Sequence, residues 1–132
     1  GMGEAWATQD IIHAIEQDAE IAAFTFETML RNGSTPRHIA QQAADHVAGA
    51  PATLELDLDA VAQAPASAAA ASGFSASDFR AMATLLSRTL NLHAVHIAEG
   101  APGNGPWPAE MLGKFAAELV RDVATAVAAR GA

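Results

Sequence analysis

Cysteine is absent from this chain, which removes disulfides, thiolate metal sites and a cysteine nucleophile together. Basic residues are few. Arg31, Arg37, Arg80, Arg88, Lys114, Arg121 and Arg130 stand singly against 15 acidic residues, for a formal net charge of −8. Without a Lys/Arg cluster there is nothing to neutralise phosphates, so nucleic acid and anionic membrane surfaces are excluded as partners. The acidic surplus speaks for solubility. No apolar run approaches the roughly 20 residues needed to span a bilayer. Gly1–Glu4 has no basic region leading into an apolar stretch, so no signal peptide is read and the cytoplasm is the expected compartment; Gly1 ahead of Met2 reads as a remnant of tag removal.

Aromatic residues are also scarce, at 5%, and much of the 51% hydrophobic fraction is alanine. Small side chains with scattered Leu, Ile and Val let helices approach closely, whereas strands favour β-branched and aromatic residues. The expected class is therefore all-α. At 132 residues the chain makes one domain, a compact bundle of three long helices and one short one, with room for a short extended segment near 53–59.

Along the chain, Ile11, Ile15, Ala19, Ala22, Phe26 and Met29 recur at three- and four-residue steps. That spacing predicts one helix from about Thr8, its N-cap, to Arg31, with Asn32-Gly33 as the stop. Thr35 and Pro36 start a second, short helix carrying Ile39, Ala40, Ala43 and Val47, closing a hairpin over residues 2–51. In residues 52–73, a linker-like connection, Leu54, Leu56 and Leu58 alternate with Glu55, Asp57 and Asp59, which is a strand period. Leu54, Leu58 and Val61 also fit a helix, and no partner strand is evident. An extended lead-in and a helical turn or two before Pro65 is the expectation, followed by an Ala/Ser linker at 66–72.

Ser75 with Asp78 three residues on forms an acidic capping box, flanked by Phe74 and Phe79 at staple positions. It predicts a helix from Ala76 to Glu99, with Phe79, Met82, Leu86, Leu90 and Ile97 inward and Gly100 as terminator. A Gly/Pro loop bearing Trp107 leads to a last helix opened by Pro108, completing a second hairpin over 74–132.

Chemistry-bearing residues are sparse. On a helix, His93 and His96 lie one turn apart at an apolar stripe, and two inward imidazoles can share a divalent metal, with His46 as a third nitrogen. No Glu-x-x-His or His-Glu-x-x-His accompanies them, which favours hydrogen-bonded structural histidines. His13, Glu16, Glu20 and Glu27 share a helix face best read as solvated. No Gly-x-Ser-x-Gly elbow or phosphate-binding loop occurs, and Gly100, Gly103 and Gly105 follow an expected helix, unlike a dinucleotide fingerprint. Ile21 and Phe24 form a second apolar patch on the first helix, suited to self-association as a homodimer or to a protein partner. The functional expectation is a non-enzymatic helical interaction module. The alternatives are a metal-binding bundle using His93, His96 and His46, or a small-molecule binder with a cleft at Trp107.

Overall fold

The structure, a computed structural model, describes residues 9–47 and 49–130. The Gly1–Glu4 segment, the Thr8 cap and the side chain of Glu16 lie outside the described residues. The elements in order are α1 (Gln9–Gln17), α2 (Phe26–Asn32), α3 (Pro36–Val47), β1 (Pro51–Asp57), a 3₁₀ turn (Leu58–Ala60), α4 (Ala76–Thr89), β2 (Asn91–Ala98) and α5 (Ala109–Ala128).

This is a mixed α/β architecture, and the all-α expectation is corrected at two places. The helix expected over 76–99 ends at Thr89, and Asn91–Ala98 is a strand parallel to β1. The pairing runs from Pro51 opposite Asn91 to Asp57 opposite Ala98, with one irregularity between Ala52 and Thr53. The partner that the Leu54–Leu58 alternation lacked is thus some 40 residues downstream, beyond a crossover helix, as parallel strands require. The second correction is in the first helix, which breaks between Gln17 and Phe26. Asp18 accepts a bond from the Glu20 N–H, and Thr25 accepts one from the Thr28 N–H as a fresh N-cap. Such local side-chain bonds offer the backbone an alternative to continuing the helix.

Where the signals are local, the elements form as expected. Gly33 stops α2 in the left-handed conformation (φ 62°), and Pro36 opens α3. Ser75 caps α4 by accepting from the Asp78 N–H at 3.0 Å and donating to the Asp78 carboxylate at 2.7 Å. The flanking rings face other partners: Phe74 meets Phe26 edge-on, and Phe79 tilts against Phe115.

The core lies between the sheet and the α4–α5 pair. Leu54, Leu56 and Leu58 from β1 and the turn after it pack with Phe79, Ala83, Phe115 and Leu119. On the other sheet face, Thr53, Glu55, Ala94 and His96 are exposed. Arg80 joins α4 to α5. Its guanidinium takes Asp122 with two nitrogens, at 2.6 and 3.2 Å, and Glu118 with a third at 3.0 Å. The fork-on-carboxylate bond to Arg80 holds the Asp122 carboxyl below the usual range, outweighing the opposing effect of its burial, and Asp122 in turn raises Arg80.

Candidate functional site at the carboxyl ends of the strands

In α/β structures, ligands bind beyond the carboxyl ends of the strands, where loops converge and side chains are free of the ladder. Here β1 delivers Asp57 and, one turn later, Asp59, while β2 delivers Glu99. The Asp57 carboxylate caps the 3₁₀ turn by accepting the Asp59 N–H at 2.8 Å, which sets the direction of the Asp59 side chain.

The 58–75 connection returns to this end of the sheet instead of acting as a linker. The Ser67 N–H donates to the Glu99 carbonyl at 2.9 Å, and the Ala101 N–H donates to the Pro65 carbonyl at 2.8 Å, so residues 65–67 pair with 99–101. Ala64 and Ala66 are almost wholly buried, and Asn104 adds a side-chain bond to the Ala66 carbonyl. Of the alanines in the 66–72 run, only Ala66 is buried; Ala68, Ala69 and Ala71 are exposed.

This pairing places the Ser67 hydroxyl 2.8 Å from Asp59 Oδ2 and 2.6 Å from Glu99 Oε2. Asp59 Oδ1 also accepts the Ala68 N–H at 2.7 Å. Three non-glycine residues near the site hold positive φ: Glu99 at 65°, Gln63 at 59° and Ala69 at 45°. For residues with a Cβ this conformation costs of order 1 kcal/mol each, and it persists only where surrounding bonds enforce it. The result is an exposed anionic corner in which one hydroxyl serves two carboxylates.

The residues singled out from sequence lie elsewhere. His93 and His96 are exposed on β2, where three strand steps separate them by roughly 10 Å. Their one-turn proximity depended on a helix that is absent. His96 faces Glu55 across the ladder at 3.8 Å, and His46 on α3 bonds through its ring to the Glu20 carbonyl. The structure does not bring the three together. Among the described residues no group of three or more His, Asp or Glu is placed to hold a metal ion. Ile21 is exposed and Phe24 half-buried, both in the connection between α1 and α2 rather than on a helix face. Trp107 packs edge-on against Phe115, plugging the core.

The residues missed were Asp57, Asp59, Ser67 and Glu99. The alternating Leu54–Asp59 run carried a signal, since carboxylates closing a strand project beyond its end. Ser67 carried none, because its role depends on a loop pairing.

The fold is shared with parts of two solved structures. The arginase of Helicobacter pylori matches with a TM-score of 0.75 over 95% of this chain and 42% of its own, at 18% identity. A hypothetical agmatinase from Burkholderia thailandensis matches with a TM-score of 0.66 over 85% of this chain and 38% of its own, at 21% identity. No family model and no curated protein matches the chain. The chain spans about two fifths of the length of these structures. The α/β architecture overturns the expectation of a helical interaction module. Among the described residues no helix is long and apolar enough to cross a membrane.

Proposed function

We propose that the chain carries part of a site for a guanidino compound, in a hydrolase of the arginase and agmatinase kind. The supporting observation is the Ser67 hydroxyl standing between Asp59 and Glu99. One O–H hydrogen cannot satisfy both oxygens, so this corner has an excess of acceptors. A guanidinium presents five N–H donors in a planar fork that suits paired carboxylates. The names of the two structural neighbours denote action on arginine and agmatine, both guanidino compounds.

In this reading Glu99 and Asp59 accept the guanidinium N–H groups, and Ser67 keeps the two carboxylates at a fixed separation. Asp57 and Asp59 offer oxygen donors of the type divalent cations take. Two carboxylates fall short of a full coordination shell, and among the described residues no third His, Asp or Glu is placed with them to hold a metal ion, so no step is routed through one.

The test is ¹⁵N-detected titration of the chain with agmatine, arginine and their amine counterparts putrescine and ornithine. Millimolar agmatine or arginine, but neither amine, is expected to shift the Asp59, Ser67 and Glu99 signals. Glu99→Gln should abolish the response. Equal shifts with the amines, or none with any ligand, would sink the proposal.

A further inference from the structure

Ser67 meets the two carboxylates because the peptide unit ahead of it is held at both ends. That unit comprises the Ala66 carbonyl and the Ser67 N–H. The N–H donates to the Glu99 carbonyl at 2.9 Å. The carbonyl accepts the Asn104 side-chain amide at 3.3 Å and the Ala69 N–H at 3.2 Å. A peptide unit is planar and only φ and ψ are soft, so fixing both edges of this plane fixes the direction in which the next Cα projects its side chain. The bonds at the two ends also polarise one another, and a carbonyl that accepts makes its own N–H a better donor.

Among these partners, Asn104 alone comes from outside the strand ends and the 58–75 connection. It is fixed in turn. Its N–H donates to the Ala101 carbonyl at 3.1 Å, and the Ala101 N–H donates to the Pro65 carbonyl at 2.8 Å. A closed circuit thus runs from Pro65 through Ala101 and Asn104 back to Ala66. Gly103 and Gly105 flank Asn104 with φ of 91° and 75°, a left-handed setting that lets the loop double back on residues 63–66. The fit there is tight, since a Cβ at Gly105 would lie 3.1 Å from both the Gln63 and Ala64 carbonyl oxygens. The Ala69 bond is local, whereas the Asn104 bond spans 38 residues and ties the corner to the loop that leads into α5.

We propose that Asn104 is a positioning residue for the carboxylate corner. By holding the Ala66 carbonyl it keeps the Ser67 hydroxyl between Asp59 and Glu99, and so sets the carboxylate spacing that a ligand meets. It acts through one peptide unit rather than by contact with the ligand. The consequence for affinity rests on the guanidino reading of the site; the consequence for Ser67 does not.

Two measurements on the whole chain keep these apart. Without ligand, Asn104→Ala should speed amide exchange at Ser67 at least tenfold and abolish the nuclear coupling across its bond to the Glu99 carbonyl. Exchange in α4 and the melting temperature should not change. Asn104→Asp, which keeps the shape but not the donor, should behave alike, and Asn104→Gln, which keeps the donor, should retain most of the protection. With agmatine as the probe, the dissociation constant should rise about tenfold in Asn104→Ala and Asn104→Asp, and clearly less in Asn104→Gln. Unchanged Ser67 exchange in Asn104→Ala overturns the proposal. So does a rise shared by the α4 amides, which makes Asn104 a contributor to general stability only. Faster Ser67 exchange with an unmoved agmatine affinity overturns it too, because the hydroxyl then does not set the spacing. If the parent chain binds no agmatine, the guanidino reading fails instead, and Ser67 exchange alone decides the role of Asn104.

Discussion

Ser67 and Glu99 are 32 residues apart in sequence, yet the Ser67 hydroxyl lies 2.6 Å from the Glu99 carboxylate and its N–H donates to the Glu99 carbonyl. The side-chain and main-chain bonds join the same two residues. The hydroxyl is therefore held at the strand ends by backbone pairing, not by its own rotamer alone.

Ser67→Ala removes the hydroxyl shared by Asp59 and Glu99 and leaves their two carboxylate oxygens without it. The site is exposed, so the expected cost is about 1 kcal/mol, or roughly 3–5 °C in melting temperature. Calorimetry measures it. Hydrogen exchange should also quicken at Ala68, whose N–H is held by Asp59.

Gly73 has φ 156°, and a Cβ there would meet the Ala60 carbonyl oxygen at 2.5 Å. That oxygen also accepts the Phe74 N–H, so the backbone has no room to retreat. Gly73→Ala should destabilise by about 1–3 kcal/mol, read from urea unfolding. Gly33→Ala serves as a control, since only its φ of 62° opposes a side chain and nothing lies within 4 Å.

Asp122 supplies a pH dependence of known sign. Its carboxyl is held below the ordinary range when folded, so the unfolded chain takes up the proton first as pH falls. The contribution is complete above the unfolded value of about 4 and is lost as pH drops from there through the lower folded value. Arg80→Gln should cost about 1–2 kcal/mol at pH 7, and the difference from the parent should shrink on acidification below about pH 4. Urea midpoints at pH 7, 5, 4 and 3 check this.

Leu119 is fully buried among Leu54, Leu56, Phe79 and Phe115. Leu119→Ala should cost about 3–4 kcal/mol through lost burial and the cavity left behind. Val120→Ala, one residue on but mostly exposed, should stay within about 0.5 kcal/mol. Paired denaturation curves distinguish a core between sheet and α5 from one that treats both faces of α5 alike.

Much of the helical punctuation was legible. The Ser75–Asp78 box, the Gly33 stop and Pro36 act within four residues and need nothing distant, so local chemistry was enough to specify them. The α1–α2 break was missed because apolar spacing continues across Asp18–Thr25 while side-chain bonds interrupt the backbone. The strand β2 was missed for a different reason. Leu92, Ala94, Val95 and Ile97 suit a helix face as well as a buried strand, and short apolar runs do not distinguish the two by period.

The sequence by itself determined the caps, the stops, the absence of thiol chemistry and the alternation that ends in Asp57 and Asp59, because each depends on neighbours along the chain. Only the tertiary structure decided that Asn91–Ala98 is a strand and that Asp59, Ser67 and Glu99 meet. Ladder bonds and loop pairing are made between segments roughly 30 to 40 residues apart, and their free energy exists only once the chain has closed on itself.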